Sequence, residues 1–275
     1  VMTRCAVLAY FIKFLYGIPY VIVEHWSRYL PQDFHFTGVP RKWATKFVVR
    51  RAGYVLAVSQ VLKDAMLSLG LSNPKFGVVN NVVDDRYYAD LTSNPKGKIK
   101  ILHVSCFDEP SKNLKGILDA VSLLSKQTTN FELNVIGHGP DYDMIVDYSE
   151  TLQLRDRFVF FKGLQPPDVV AQEMMKSDFF VLFSNFETAS VVVCEALAAG
   201  LPIVASEICQ IPKMIRQGVD MLVPARDVKA LSMAMLEMMQ CCRCIDRSAI
   251  REAGIKYSYP AVGRYLFDIY NEVLS

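Results

Sequence analysis

The stretch that decides the fold is FFVLFSNFETASVVVCEALAAGLPIVAS, residues 179–206. It begins with an apolar run at 179–183, typical of a buried strand in a parallel sheet, and ends with a second apolar run at 203–205. Between the two runs, a short polar turn leads into a helix over about 190–199, which ends at Gly200 before a Leu-Pro pair. The stretch is therefore predicted to form a strand–turn–helix–strand unit.

One glutamate lies just before this helix and a second lies within it. Glu187 lies in the turn, and the backbone N–H groups of Thr188, Ala189 and Ser190 suit an anion such as a phosphate. A carboxylate at Glu195, among apolar neighbours, requires donors, which two adjacent sugar hydroxyls would supply. An acid favoured by the helix dipole, together with an ordinary paired glutamate, is the alternative interpretation of the same residues.

The whole segment resembles the donor-binding signature of family 4 glycosyltransferases. These are retaining enzymes with two Rossmann-like lobes, the GT-B fold, and their two glutamates are followed by Ala-x-Ala-x-Gly-x-Pro, as here at 196–202. The resemblance implies that Glu187 contacts the donor sugar and Glu195 the nucleotide ribose. The family usually has Gly-Phe-Gly after the first glutamate, whereas this chain has Thr-Ala-Ser, whose small side chains still allow close backbone approach.

A second match lies in HVSCFDEPSKNLKG, residues 103–116. It resembles the family's Gly-Arg-Leu…Lys motif, which implies that Lys112 binds the donor diphosphate, with Lys115 as the alternative. A diphosphate beside two glutamates requires a nearby cation. Because Cys106 or Phe107 replaces the family's arginine, half of the usual cationic pair is either missing or supplied from elsewhere.

Two glycine-containing turns resemble loops that face the nucleotide in this family. Gly137 and Gly139 follow a predicted strand in the sequence Gly-His-Gly-Pro. Gly163 and Leu164 match the loop whose backbone lies beside the nucleobase in this family. Taken without the family pattern, each is only a tight turn.

His25 follows a predicted strand at 20–24. The resemblance implies the histidine that lies close to the anomeric carbon and the sugar hydroxyls, so His25 is predicted to be catalytic together with Glu187. A hydrogen-bonded structural histidine is the alternative. Ser59 and Asn81 match further family landmarks, and their predicted role is loop geometry.

Composition narrows the classes of partner. The net charge of +2 over 275 residues gives no argument for nucleic acid. Residues 1–95 hold 11 Lys and Arg against 6 Asp and Glu, or +5, which leaves −3 for 96–275. Lys42, Lys46 and Arg50 recur on one helix face, which is either simply solvated or docks on anionic lipid headgroups at the inner face of a membrane.

The seven cysteines indicate a reducing cytosol, because their number is odd and they form no secreted framework. The cysteines at 241, 242 and 244 lack metal-ligand spacing, and the sequence predicts no metal site and no cofactor. The apolar run at 5–23 is interrupted by Lys13, Gly17 and Pro19 and is predicted to be a core helix followed by a strand.

Strands and helices alternate along the whole chain, which predicts an α/β fold with doubly wound parallel sheets. Predicted strands lie at 20–24, 54–58, 76–79, 100–104, 132–136, 158–161, 179–183 and 203–205. A linker at 91–97 divides a partial first lobe, 1–95, from a donor-binding lobe, 96–257, and 258–275 forms a helix returning to the first lobe. Since the family begins with further βα units, the first lobe is expected to be incomplete.

The predicted function is sugar transfer from a UDP- or GDP-type donor to a glycan or lipid-linked acceptor in bacterial cell-surface polysaccharide synthesis. The expected location is the cytoplasm, with a peripheral membrane contact left open. A non-catalytic sugar-nucleotide-binding module, or an inactive fragment of such an enzyme, is the first alternative. A nucleotide-sugar epimerase is the second, for which no acid–base residues are apparent.

Overall fold

The computed structural model describes residues 2–31, 35–89, 97–216 and 218–275. The chain divides into two compact units. One ends at Val82 and also contains Tyr259–Ser275, and the other spans Val83–Ser258. The linker predicted at 91–97 lies outside the described residues except for Gly97.

The first unit alternates helices with parallel strands. Its elements are α1 (Met2–Tyr16), β1 (Val21–Glu24), α2 (Val39–Arg51), β2 (Tyr54–Ala57), α3 (Gln60–Ser68), β3 (Phe76–Val78) and the C-terminal helix (Tyr259–Leu274). The strands form one parallel sheet in the order β1-β2-β3. Val262 and Ile269 of the C-terminal helix form a buried cluster with Leu56 and Val79. This helix therefore contributes to the core of the first unit.

Ser59 has a local role in this unit. Its Oγ accepts a hydrogen bond from the Leu62 backbone N–H at 3.2 Å and so caps α3. A serine in this position satisfies one of the unpaired N–H groups at a helix start. Its predicted contribution to loop geometry is therefore that of a helix cap.

The second unit contains a longer series of strands and helices. They are β4 (Ile99–Val104), α4 (Glu109–Lys112), α5 (Leu114–Ser125), β5 (Phe131–Ile136), α6 (Tyr142–Thr151), β6 (Val159–Gly163), α7 (Pro167–Lys176), β7 (Phe179–Leu182), α8 (Val191–Ala198), β8 (Ile203–Ser206), α9 (Ile211–Met214), β9 (Met221–Val223), α10 (Val228–Cys241) and α11 (Arg247–Gly254). The predicted fold class is confirmed, because every strand pair in both sheets is parallel.

The six strands of the second unit have the order β6-β5-β4-β7-β8-β9. In this doubly wound order, the first strand of the unit stands in the middle beside the fourth. Helices cover both faces of the sheet. One buried cluster includes Leu133 and Leu231, and the other includes Leu102 and Leu197. Strands buried on both faces account for the continuous apolar runs that the sequence shows.

Several short elements were not predicted. The helices α4 and α9 contain four residues each and β9 contains three. Elements of this length are too short for a helical or strand period to be recognised. Strand β9 is important for the candidate site, because the loop after it contains Arg226, which contacts Asn185 in the loop after β7.

Candidate functional site

The site lies where β4 and β7 stand side by side in the six-stranded sheet. The chain continues from β4 toward β5 on one side and from β7 toward β8 on the other, so a crevice opens beyond their carboxyl ends. Ligands of open α/β sheets bind at such a topological switch point. The loop after β4 leads to Lys112, and the loop after β7 contains Glu187.

Lys112 and Glu187 form an ion pair at this switch point. Lys112 Nζ donates to Glu187 Oε1 at 2.6 Å, and the two side chains are 17% and 9% exposed. Lys112 is the last residue of α4, which ends where Asn113 adopts a left-handed conformation with φ 51°. The structure thus brings together the predicted diphosphate lysine and the predicted sugar glutamate.

The strand end below Glu187 supplies a second donor. Ser184 Oγ donates to Glu187 Oε1 at 2.8 Å, and the Ser184 carbonyl accepts from Ser206 Oγ at 2.7 Å. Both serines are fully buried. Among the described residues none donates to Glu187 Oε2, so that oxygen is available to a sugar hydroxyl.

Asn185 joins the two loops of the switch point. Its backbone N–H donates to the Ser111 carbonyl at 2.7 Å, and its Nδ2 donates to the Pro110 carbonyl at 3.0 Å. Its Oδ1 accepts from Nε of Arg226, in the loop after β9, at 3.2 Å. Asn185 and Arg226 have no recognisable signal in the sequence, because only the strand order brings these loops to one edge.

The turn before α8 contains Thr188, Ala189 and Ser190, as predicted. Ser190 precedes the first helical residue, and its side chain makes no capping hydrogen bond. Ser190 is buried, whereas Thr188 and Ala189 are half-buried. The partial positive charge of the α8 N-terminus therefore lies at the same strand end as Glu187.

Glu195 lies in the second turn of α8, beside Tyr87. The Tyr87 hydroxyl donates to the Glu195 carboxylate, and Tyr87 is 3% exposed within the 3-10 turn Asp85–Tyr88. Burial raises the pKa of Glu195 to about 7, and the Tyr87 hydrogen bond offsets part of that rise. One donor leaves most of the lone pairs of the Glu195 carboxylate without a hydrogen bond, so the carboxylate can accept further hydrogen bonds from ligand hydroxyls. Tyr87 carried no recognisable signal in the sequence.

Gly137 and Gly139 allow two loops to pack closely. Gly137 has φ 139°, and a Cβ there would overlap the Ser105 carbonyl oxygen. A Cβ at Gly139 would lie 2.6 Å from backbone atoms of Phe107. The Phe107 backbone N–H donates to the His138 carbonyl at 3.1 Å. The glycines therefore fix the loop after β5 against the loop after β4, at the carboxyl edge of the sheet.

The remaining predicted donor residues lie around this edge. Gly163 has φ 64°, its carbonyl accepts from the Gly137 N–H at 2.9 Å, and Leu164 is 79% exposed. Lys115 Nζ lies 5.3 Å from the centre of the Tyr148 ring. Lys112 and Lys115 thus have different neighbours, and only Lys112 pairs with Glu187.

His25 lies in the first unit, directly after β1, with its side chain exposed. Its backbone N–H donates to Glu24 Oε1 at 3.1 Å, and the same oxygen accepts from the Trp26 N–H at 3.0 Å. Glu24 is 6% exposed, and burial raises the pKa of its carboxyl. Glu24 thus fixes the backbone of the turn that presents His25 at the carboxyl end of β1. His25 and the predicted donor residues belong to different units.

The basic positions of α2 differ in exposure. Lys46 and Arg50 are exposed, and Lys42 is half-buried. Trp43 is 68% exposed and stacks on Phe47, with ring centres 5.5 Å apart. Within the parts of the chain that the structure describes, every helix is too short or too polar to cross a bilayer.

The cysteines are free thiols. Burial raises the pKa of Cys242 to about 11, which keeps that sulfur protonated at neutral pH. In residues 2–31, 35–89, 97–216 and 218–275, no three His, Cys, Asp or Glu side chains form a group suited to a metal ion.

Two compact units, each built on a parallel α/β sheet, are the architecture of the GT-B class. The sequence model described as Glycosyl transferases group 1 matches residues 98–241, more than half of the chain. This match includes Lys112, Glu187 and Glu195. The chain belongs to the glycosyl transferases group 1 family.

Curated relatives are themselves sugar-handling enzymes. The N-acetyl-alpha-D-glucosaminyl L-malate synthase of Bacillus anthracis is 30% identical over 183 residues, 63% of this chain and 46% of the relative. The lipopolysaccharide 1,6-galactosyltransferase of Escherichia coli K12 is 28% identical, covering 60% of this chain and 46% of that protein. A phosphatidyl-myo-inositol mannosyltransferase of Mycobacterium leprae is 28% identical, covering 86% and 63%. The chain spans about half the length of the first two relatives.

Solved structures share the fold. Anabaena HepE in complex with UDP superposes with a TM-score of 0.82 at 18% identity, covering 98% of this chain and 76% of that one. The apo form of the lipopolysaccharide outer core galactosyltransferase WaaB gives 0.70 at 20% identity, covering 99% and 72%. At these identities, the likeness establishes the GT-B fold alone.

Proposed function

We propose that this protein transfers a sugar, with retention of anomeric configuration, from a nucleoside-diphosphate-sugar to a glycan or lipid-linked acceptor in bacterial cell-surface polysaccharide synthesis. The observation that carries the proposal is the Lys112–Glu187 ion pair at the switch point. Two kinds of likeness support it. Named relatives are a galactosyltransferase and a mannosyltransferase, and HepE was solved with UDP and glucose.

Each part of the donor has a proposed partner in the second unit. The Lys112 ammonium and the α8 N-terminus attract the diphosphate, because both carry positive charge at the same crevice. The Glu195 carboxylate accepts hydrogen bonds from the ribose hydroxyls. Glu187 Oε2 accepts from a hydroxyl of the donor sugar, and the loop at 163–164 edges the nucleobase.

The proposed reaction exchanges one bond at the anomeric carbon for another. The bond from this carbon to the diphosphate oxygen breaks, and the acceptor hydroxyl attacks from the same face. The acceptor proton passes to the departing phosphate, so retention needs no further base. Glu187 and His25 have proposed roles in framing the sugar as its anomeric carbon gains positive charge.

The exposed face of α2 supports a lipid-linked acceptor. Lys46 and Arg50 offer positive charge and Trp43 a large exposed aromatic surface, a combination suited to anionic headgroups. We place the reaction at the cytoplasmic face of a membrane, where nucleotide sugars are available.

Donor binding followed by product analysis tests this proposal. Calorimetry with UDP and GDP is expected to give saturable binding to one of them. Incubation with the matching sugar nucleotides and a glycolipid extract is expected to give a product whose anomeric configuration, read by proton NMR, equals that of the donor. Absence of binding by both nucleotides, or an inverted product, would overturn the proposal.

A sugar-nucleotide-binding module without transfer is the second candidate. It is favoured by positions 106 and 107, where Cys and Phe stand in place of the family's arginine, and Phe107 is fully buried. The same experiment separates the two candidates. Saturable binding with neither transfer nor hydrolysis of any donor supports the module.

A further inference from the structure

The switch-point site has a shortage of positive charge for the ligand proposed for it. The diphosphate of a nucleotide sugar carries about two negative charges near neutral pH, one on each phosphate. Lys112 already neutralises Glu187, at 2.6 Å. Phe107 is fully buried beside Tyr142, and Cys106 has no cationic form. The loop after β4 therefore supplies one cation, shared between a carboxylate and the ligand.

Arg226 lies at the same sheet edge. It follows β9 (Met221–Val223) by three residues, and all six strands end at this edge with their carboxyl ends. Its Nε donates to Asn185 Oδ1 at 3.2 Å. Asn185 is two residues from Glu187 and is bonded to Ser111, the neighbour of Lys112. Arg226 is thus tied to the residue that joins the two loops of the ion pair.

The guanidinium is only partly used by this contact. Arg226 is exposed, and within the described residues its terminal nitrogens make no hydrogen bond. A guanidinium held through Nε presents the remaining N–H groups as a planar fork, which fits two phosphate oxygens.

The backbone of Arg226 gives an independent indication. Its φ is 65°, in the left-handed region where glycine is favoured and a larger residue is strained. Strained residues of this kind cluster at ligand sites, where the side chain is needed in place. At Arg226, this strain coincides with a side chain that is hydrogen-bonded at the sheet edge.

We propose that Arg226 is the second cation of the donor site and binds the diphosphate together with Lys112. This inference rests on the proposed function, which defines the ligand. In this proposal, Arg226 in the loop after β9 supplies the second positive charge that the loop after β4 lacks.

The test uses variants that separate charge from folding. Arg226→Gly removes the guanidinium and relieves the left-handed strain, so its thermal midpoint is expected to equal or exceed that of the wild type. Its affinity for UDP or GDP, whichever the wild type binds, is expected to fall about tenfold or more, with Arg226→Lys between the two. Lys229→Ala, three residues further on and also exposed, removes the same charge and is the matched control, expected within about twofold of the wild type.

Binding of the corresponding nucleoside, followed by ligand-observed NMR, completes the experiment. Its affinity is expected to be the same for the wild type and Arg226→Gly, because the nucleoside lacks the diphosphate. Equal nucleoside-diphosphate affinity in the wild type and Arg226→Gly would overturn the role of Arg226 while the proposed function stands. So would an equal loss for nucleoside and nucleoside diphosphate. A wild type that binds neither UDP nor GDP removes the proposed function and this inference together.

Discussion

The two units use their apolar residues differently. In the second unit, six parallel strands are covered on both faces, and fully buried residues such as Leu102 and Leu133 fill the two sides. In the first unit, α1 exposes Phe14 by 74% and Leu15 by 67%. A cavity of about 640 Å³, lined mainly by apolar residues, lies between α1 and β1 and reaches His25.

The two units also differ in whether the polar side chains at their strand ends have hydrogen-bond partners. In the second unit, Glu187 and Asn185 have side-chain partners from neighbouring loops, Lys112 and Arg226. In the first unit, His25 is exposed and hydrogen-bonded through its backbone. We therefore hypothesise separate roles, in which the second unit binds the nucleotide and His25 acts on the sugar. Three predictions on nucleotide affinity test these separate roles.

The largest expected effect is that of Lys112→Met on nucleotide affinity. Removing the ammonium leaves the diphosphate facing the Glu187 carboxylate, so UDP or GDP affinity is expected to fall about 100-fold, measured by calorimetry. Lys115→Met, whose ammonium lies over Tyr148, is the matched control and is expected within about twofold of the wild type.

A loss of folding could imitate this result, because Lys112→Met leaves a buried carboxylate without its partner. The double variant Lys112→Met with Glu187→Gln removes both charges and is expected to recover thermal stability without recovering nucleotide affinity. Nucleotide affinity near that of the wild type in this double variant would show that Lys112 acts on folding and not on the diphosphate.

A smaller effect is expected for Glu195→Gln. In its proposed role the ionised carboxylate accepts hydrogen bonds from the ribose hydroxyls, so replacement is expected to lower nucleotide affinity by about 1–2 kcal/mol, or about five- to thirtyfold. Because the pKa of Glu195 is raised to about 7, wild-type affinity is expected to rise from about pH 6 to about pH 8. Ionisation of the nucleotide affects both proteins equally, so the difference between their pH slopes reports Glu195. Equal slopes in the wild type and Glu195→Gln would exclude this carboxyl.

The same carboxyl affects stability in the opposite direction. A raised folded-state pKa favours the native protein below about pH 4.5, where the carboxyl is protonated in both states. This contribution is lost as pH rises to about 7, because the unfolded state ionises first. Glu195→Gln is expected to reduce the pH dependence of the free energy of unfolding between about pH 4.5 and 7, measured by urea denaturation. The pH dependence that remains is expected to come from Asp220, whose pKa is raised to about 6 by burial.

The smallest expected effect on binding is that of His25→Ala. If the second unit alone holds the nucleotide, UDP or GDP affinity stays within about twofold of the wild type, while donor turnover falls. Calorimetry and a donor-hydrolysis assay measure the two quantities separately. A tenfold loss of nucleotide affinity would show that His25 takes part in nucleotide binding and would contradict the hypothesis of separate roles.

Much of the fold followed from local pattern. Strand and helix bounds agreed with the prediction to within a few residues, from the helix predicted at 190–199, observed as Val191–Ala198, to the strand predicted at 20–24, observed as Val21–Glu24. Long apolar runs and helix-ending glycines are local signals that need no tertiary partner. The three-residue strand Met221–Val223 has no such signal and was missed.

The sequence by itself determined the parallel α/β class and the strand–turn–helix–strand unit with its two glutamates, since spacing and periodicity are properties of neighbouring residues. Only the tertiary structure decided which lysine meets Glu187, and that Tyr87 contacts Glu195 and Arg226 contacts Asn185. The physical reason is the strand order: residues far apart in the chain meet because the carboxyl ends of parallel strands share one edge. That order is set by the packing of the whole sheet.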